Sequence, residues 1–142
     1  MTKIEFEELS EWAWAIRELP SSIEALYIDE NLILAGDKEG NITCWNYEGE
    51  LLWKQNVGNR VENFVLAQSS ENANLFLVAG LDICGLNVST GDLVWKAELE
   101  GISDLVAIDE KNQQLIVTSS VFDIEYHDFI EGSCRRFSFD GD

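Results

Sequence analysis

Short apolar runs alternate with polar, glycine-bearing turns along this chain, and the pattern is clearest between Leu32 and Trp53. The apolar runs are about five residues long, and each ends at a turn that contains glycine or at the next polar group. Runs of this length, bounded by such turns, predict antiparallel strands joined by tight connections. In chain order, the runs and turns of this stretch are 32–36, 37–41, 42–47, 48–50 and 51–53.

The pattern recurs at an interval near forty residues. The segment EGELLWK (48–54) aligns with TGDLVWK (90–96) at an offset of 42 residues, and a third copy of the turn lies at 140–142. The strands before each turn also recur, and we name them A to D in order along each unit. Strand A is predicted at 23–28, 62–67 and 103–108, strand B at 32–36, 75–80 and 115–119, strand C at 41–47, 83–88 and 133–139, and strand D from Leu51 and Leu93 onward.

Four short antiparallel strands per unit, with a period near forty residues, are typical of propeller blades. The sequence therefore predicts an all-β protein built of β-propeller-type four-stranded antiparallel blades. About three blades are visible, which makes an incomplete or half propeller. The expected divisions are an N-terminal tail at 1–10 and a partial β-propeller at 11–142, with blade units at about 11–58, 59–100 and 101–142.

The segment before the first strand A has two interpretations. Residues 14–19 resemble 95–99, which predicts that the chain opens with a D strand and closes with a C strand, the permuted order that joins first and last blades. The apolar spacing of residues 9–19 also fits an amphipathic helix ending at Pro20.

The stretch LNVSTGDLVWK (86–96) resembles the repeat of the quinoprotein-like (PQQ-type) propellers, whose blades carry a Thr-Gly turn and a tryptophan four residues after the glycine. EGELLW (48–53) is similar, with Glu in place of Thr. WD-repeat propellers are near neighbours, although no Trp-Asp dipeptide ends a strand C here. The resemblance implies a propeller fold, and tryptophans at matching positions are expected to pack between adjacent sheets. The structural repeat residues are then Gly49, Trp53, Gly91, Trp95 and Gly141.

The net charge and the N-terminal sequence limit the classes of partner that we expect. The chain has 27 acidic and 9 basic residues and a net charge of −18, which repels phosphate backbones and anionic lipid headgroups, so neither nucleic acid nor a membrane is expected as a partner. Acidic residues at the N-terminus exclude a secretory signal pattern, and no apolar run reaches the ~18–20 residues of a membrane span.

The cysteines, Cys44, Cys84 and Cys134, lack metal-site spacing and are expected to be reduced structural residues at equivalent strand positions in one sheet layer of a cytoplasmic protein.

The third unit contains an insertion. Gly91 to Gly141 spans 50 residues, eight more than the preceding interval, and the excess falls in 119–132, which holds the single histidine. Its alternating apolar positions predict a lengthened, half-buried hairpin. The alternative is a divalent cation or acid–base site, because in an extended strand Asp123, Glu125 and His127 would point the same way.

In a propeller, the B–C and D–A connections share one face, which commonly contacts ligands. Arg60 on this face could meet a partner's carboxylate, or form a local ion pair with Glu62 or Asp82. The candidate partner-binding face comprises Asp37, Lys38, Asn59, Arg60, Asp82, Asp123, Glu125 and His127.

No nucleophile–histidine–acid set or phosphate-binding glycine loop is present, so no catalytic residue, cofactor or metal site is predicted. We therefore predict a non-catalytic scaffold that binds a protein partner. Two alternatives stay open: a portion of a PQQ-dependent dehydrogenase, which would need a periplasmic signal, and a half-propeller that completes its ring by homodimerisation. Because the third turn stops at Asp142, before the expected Leu-x-Trp, the sequence favours missing C-terminal blades over the pairing of two chains.

Overall fold

The computed structural model describes residues 17–142, which form antiparallel β-strands arranged in three sheets. Each sheet follows chain order, with every strand paired to its sequence neighbour. The predicted all-β fold of antiparallel blades is therefore confirmed. The predicted tail at 1–10 lies outside the described residues, as does most of the segment predicted as strand or helix; its described part, 17–19, is not in a strand.

Blades 1 and 2 each have four strands. Blade 1 consists of β1 (Ile23–Ile28), β2 (Leu32–Asp37), β3 (Asn41–Asn46) and β4 (Leu51–Asn56). Blade 2 consists of β5 (Val61–Leu66), β6 (Leu75–Ala79), β7 (Asp82–Leu86) and β8 (Leu93–Glu98). These strands correspond to the predicted A, B, C and D strands of the first two units.

Blade 3 has three strands within the described residues. They are β9 (Ile102–Asp109), β10 (Gln114–Asp123) and β11 (Asp128–Ser138), with β10 in the centre of the sheet. The outer edge of β11 pairs with no strand in this part of the chain.

The blades stack face to face, and each gap between them is filled by a separate apolar core. One core joins blade 1 to blade 2 and includes Leu34, Cys44, Phe64 and Leu77. The second joins blade 2 to blade 3 and includes Phe76, Val106 and Phe137. The two inner strands of blade 2 bury alternate side chains on opposite faces, which is why β6 and most of β7 are apolar without interruption.

A tryptophan joins each blade to the next. The indole Nε1 of Trp53 in blade 1 donates to the carbonyl oxygen of Val88 in blade 2 at 2.7 Å, and Nε1 of Trp95 in blade 2 donates to the carbonyl oxygen of Phe139 in blade 3 at 2.8 Å. Gly91 lies directly against the Trp53 ring, and Gly141 lies against the Trp95 ring. The same joint is therefore built twice.

The side chain of Arg17 contacts the glycine turn of blade 1. Gly49 lies against the guanidinium group of Arg17, whose Nε donates to the Gly49 carbonyl oxygen at 2.8 Å. In the next joint Nε2 of Gln55 donates to the Gly91 carbonyl oxygen at 3.0 Å. Arg17 thus makes with the turn of blade 1 the two contacts that Trp53 and Gln55 make with the turn of blade 2.

The cysteines do not occupy equivalent positions. Cys44 and Cys84 are both buried, but Cys44 is paired with Leu34 and Cys84 with Leu77, so the two thiols enter the same core from opposite blades. Burial raises the pKa of Cys44 to about 11 and that of Cys84 to about 12. Cys134 is exposed on β11, and all three cysteines are free. The expectation of one shared layer is therefore wrong for Cys134.

Candidate interaction surfaces

The B–C turns and the D–A connections lie side by side at one end of the blades. Backbone hydrogen bonds join Val57 N to the Gly40 oxygen at 3.0 Å, Gly80 N to the Arg60 oxygen at 3.1 Å, and Leu99 N to the Leu81 oxygen at 2.7 Å. We call this end the loop face.

Asp37 on the loop face is buried and holds its own turn. Its Oδ1 accepts hydrogen bonds from the backbone N–H groups of Glu39 and Asn41, both at 2.9 Å, and its Oδ2 accepts one from the Asn41 side chain at 2.9 Å. Burial by itself raises the pKa of Asp37, but these hydrogen bonds outweigh it and hold the pKa below its ordinary value. The carboxylate is engaged within the turn, and its neighbours Lys38 and Glu39 face solvent.

Asp82 and Asn59 belong to one small polar group between blades 1 and 2. Lys96 Nζ lies 3.1 Å from Asp82 Oδ2 and 3.4 Å from the Val57 carbonyl oxygen. The Asn59 amide donates to Asp82 Oδ2 at the long distance of 3.5 Å, and its side chain packs against Gly80. These polar groups therefore satisfy one another.

Arg60 links two blades. Its Nη2 lies 2.9 Å from Glu24 Oε2 in blade 1, and its Nε lies 3.0 Å from Glu62 Oε1 in blade 2. The pair with Glu62 is the local ion pair that the sequence analysis considered. Since the arginine side chain is about half exposed, each pair contributes little to stability.

The insertion in the third unit is a hairpin, as predicted, but it is not half buried. Strand β9 pairs with β10 only as far as Ser120, opposite Ile102, while β10 and β11 continue to the pair Asp123 and Asp128. Beyond Ser120 the sheet has only two strands, and the exposure of their side chains shows that neither face is covered by another part of the described chain. Its large apolar side chains are exposed, the most exposed being Ile124 at 79% and Tyr126 at 73%; the others are Phe122, Phe129 and Ile130.

The polar residues of the hairpin form its turn. Oδ1 of Asp123 accepts hydrogen bonds from the backbone N–H of Glu125 at 2.8 Å and of Tyr126 at 3.1 Å, and His127 has a positive φ of 52°. Residues 124–127 are therefore a turn and not the extended row that the cation-site alternative requires. Within residues 17–142, no group of three or more His, Cys, Asp or Glu side chains is arranged to hold a metal ion.

Blade 1 carries an open apolar face, on which Ile23 and Leu26 are exposed, Ile33 is half-buried and Trp45 is buried. Together with Arg17, Ala35 and Gly49 these residues line a shallow cavity of about 290 Å³. Strand pairing shows that Leu26, Phe64 and Val106 are equivalent, since they lie opposite Ala35, Leu77 and Val117 respectively. Phe64 and Val106 are 7% and 5% exposed because the preceding blade covers them, whereas Leu26 is 68% exposed.

Blade 3 carries an open face on its opposite side, comprising Leu105, Ala107, Ile116, Thr118, Cys134 and Arg136. Ile116 is opposite Ala107 and Arg136, which makes it equivalent to Phe76, the buried residue opposite Val65 and Gly85 in blade 2. The Thr118 hydroxyl accepts a hydrogen bond from the Leu105 backbone N–H at 3.2 Å, so Thr118 and Leu105 lie on the same side. Ile116 is half-buried, and Leu105, Ala107 and Cys134 are exposed.

Comparison with solved structures gives the fold. The computationally designed protein Ika4 matches with a TM-score of 0.58 at 20% identity, over 84% of this chain and 76% of that one. U3-55K matches with a TM-score of 0.60 at 15% identity, over 82% of this chain and 40% of that one. A chain of the mitotic checkpoint complex matches with a TM-score of 0.64 at 14% identity, over 72% and 33% respectively. No family model and no curated protein sequence matches.

The chain has the fold of a partial propeller. U3-55K and the matched chain of the mitotic checkpoint complex are WD40-type propellers, and this chain spans about two fifths and one third of their lengths. These similarities do not distinguish PQQ-type repeats from other propeller repeats, so that resemblance stays a prediction. Within the described residues, no helix is long and apolar enough to cross a membrane.

Sequence reasoning placed Asp123, Glu125 and His127 on the hairpin but did not select its apolar side chains. The length of the insertion was the sequence signal for their exposure. A hairpin that extends beyond the rest of its sheet has no neighbouring element to cover its faces. The open face of blade 1 carries no such signal, because Leu26 is as apolar as Phe64 and Val106.

Proposed function

We propose that this chain is a non-catalytic protein-interaction module and that the tip of the β10–β11 hairpin, residues 122–130, is its binding element. The observation that carries the proposal is the exposure of large apolar side chains on a two-stranded ribbon. Aromatic and branched side chains of this kind supply most of the energy at protein interfaces when a partner's pocket covers them.

The hairpin is ordered enough to present these groups. The Phe122 and Phe129 rings contact each other edge to face, with centroids 5.2 Å apart, and Asp123 fixes the turn by accepting two backbone hydrogen bonds. A preformed ribbon loses less conformational entropy on binding than a flexible loop.

The charges around the tip indicate the partner's chemistry. Asp123, Glu125, Asp128 and Glu131 surround the apolar side chains, and the whole chain has a net charge of −18. An apolar pocket with a basic rim would complement this surface, and long-range attraction would speed association. The single histidine lies exposed in the turn, where it faces solvent.

The test compares capture of a partner by the immobilised wild-type chain with capture by one double variant and by one single variant. Replacing Ile124 and Tyr126 together by Ser is expected to abolish capture, because both side chains lose their buried contact area. Leu93→Ser is the matched control, since it removes an exposed apolar group of blade 2 that lies outside the hairpin and outside the open faces of blades 1 and 3. Capture is also expected to weaken as salt is added. Equal capture by the wild type and the hairpin variant would contradict the proposal.

A further inference from the structure

The open faces of blades 1 and 3 are the two halves of one kind of joint. Inside the chain, the face of blade 2 that carries Phe64 packs on blade 1, and the face of blade 3 that carries Val106 packs on blade 2. The face with Leu26 is the third member of this series, and Leu26 and Ile23 on it are 68% and 52% exposed, although Trp45 beside them is buried.

Blade 3 carries the complementary surface, the one that in blades 1 and 2 packs on the next blade. Leu34 of blade 1 and Phe76 of blade 2 are fully buried because each faces the next blade, and Ile116 holds the same position in blade 3. Residues 17–142 place no further blade over Ile116. Residues 17–142 therefore offer both surfaces of a blade joint, one at each end of the stack that they form.

We propose that two copies of this chain associate head to tail, the open face of blade 1 in each copy packing on the open face of blade 3 in the other. The contact is heterologous, and it closes with two copies if three blades span half a turn. The resulting ring would have six blades, within the roughly four to eight blades of known propellers. These surfaces are separate from the hairpin tip, so this inference does not rest on the proposed function.

The internal joint predicts which groups would meet. In blades 1 and 2, a Cβ placed at Gly36 would lie 2.6 Å from Cγ1 of Val61 and 3.0 Å from Cζ of Phe64. By strand pairing Gly36 is equivalent to Thr118, Val61 to Ile23, and Phe64 to Leu26. Ile23 and Leu26 of one copy are thus expected beside Thr118 of the other.

Cys134 provides a natural probe of this contact. It lies directly opposite Thr118 in the β10–β11 pair and is exposed in the single chain, whereas Cys44 and Cys84 are buried. Association would cover Cys134, because its equivalent in blade 1, Ile42, is fully buried in the joint with blade 2.

The test measures mass by sedimentation over a range of protein concentrations, together with the rate of Cys134 alkylation. The wild-type chain is expected to reach twice the mass of one chain, with Cys134 alkylation slowing at least tenfold as the dimer forms. Leu26→Asp and Leu105→Asp are each expected to give monomers with fast alkylation. Ile124→Asp, on the hairpin, is the matched control and is expected to remain a dimer.

The effect of salt on binding distinguishes the proposed dimer from the proposed binding of a partner at the hairpin. Each copy has a net charge of −18, so screening is expected to strengthen an apolar contact between like-charged chains. Binding of a basic partner to the hairpin is expected to weaken under the same change.

Three outcomes would overturn the inference. They are a monomeric mass at every concentration, an open series of larger species, and a dimer that Ile124→Asp breaks while Leu26→Asp does not. Should an aspartate variant fail to fold, the concentration dependence of Cys134 alkylation in the wild type still decides, since constant fast alkylation contradicts the contact.

Discussion

Trp53 and Gly91 meet across the boundary between two blades, the indole ring lying against the glycine while its N–H bonds to the Val88 carbonyl oxygen at 2.7 Å. The tryptophan belongs to the fourth strand of blade 1, and the glycine belongs to the turn before the fourth strand of blade 2. The contact thus couples two units that are adjacent in the stack.

Gly91→Ala is expected to lower the free energy of unfolding by about 2–4 kcal/mol, because the new methyl group must displace the indole and the backbone must keep a positive φ. An added Cβ would lie 2.4 Å from Cε3 of Trp53, at a residue with φ of +79°. Gly58→Ala is the matched control: φ there is +86°, but nothing lies within 4 Å of an added Cβ. Denaturant unfolding measures both, and equal losses would show that the ring contact does not matter.

Trp53→Phe is expected to cost about 1–3 kcal/mol, since it removes the donor to the Val88 carbonyl oxygen and leaves that oxygen without its partner. The bond that is lost measures 2.7 Å in the structure. The same change at Trp95 removes the bond to Phe139 and should have a similar effect. Denaturation midpoints of the two variants compare the joints directly, and a loss at only one of them would argue against equivalence.

Asp37→Asn is expected to destabilise the protein at neutral pH and to matter less in acid. Because the folded-state pKa of Asp37 is lowered, its stabilising contribution is present above the unfolded-state pKa and is lost as the pH falls through the folded-state pKa. The difference in unfolding free energy between wild type and variant should therefore be constant above about pH 5 and shrink below about pH 4.

Glu30→Gln serves as the control for the Asp37 experiment, since Glu30 is exposed and its loss changes the net charge equally. Urea unfolding at a series of pH values measures all three proteins. A difference between wild type and Asp37→Asn that persists unchanged in acid would show that the carboxylate charge is not involved.

Arg60→Ala is expected to cost no more than about 1 kcal/mol, because both of its ion pairs are partly exposed. A double-mutant cycle with Glu24→Ala isolates the pair that joins blades 1 and 2, whose atoms lie 2.9 Å apart. The coupling energy should fall as salt is added. A coupling above about 2 kcal/mol would contradict a solvent-screened pair.

The strands could be predicted from the sequence because each is short, apolar and closed by a turn. Gly40, Gly49 and Gly91 all have positive φ, the conformation that favours glycine, so the turn signal and the backbone agree. The pairing of neighbouring strands then follows from the short connections. The repeat interval gave the blade architecture without any knowledge of the packing.

Exposure could not be predicted in the same way, because it depends on which surface the neighbouring blade provides. Leu26, Phe64 and Val106 follow the same local pattern, yet Leu26 alone is uncovered. Asp37 presents the opposite case. It looks like a surface turn residue in the sequence, but its side chain is fully buried and its carboxylate accepts hydrogen bonds from the backbone N–H groups of Glu39 and Asn41.

The tryptophan-to-glycine joint makes the stack modular. Blade 2 binds the indole of blade 1 at its own glycine turn and contributes an indole to the glycine turn of blade 3, so a unit of this kind could be duplicated or deleted while the remaining boundary keeps its donor, its acceptor and its ring contact. Blade number is consequently a property that gene duplication can change in single steps, without redesign of any interior.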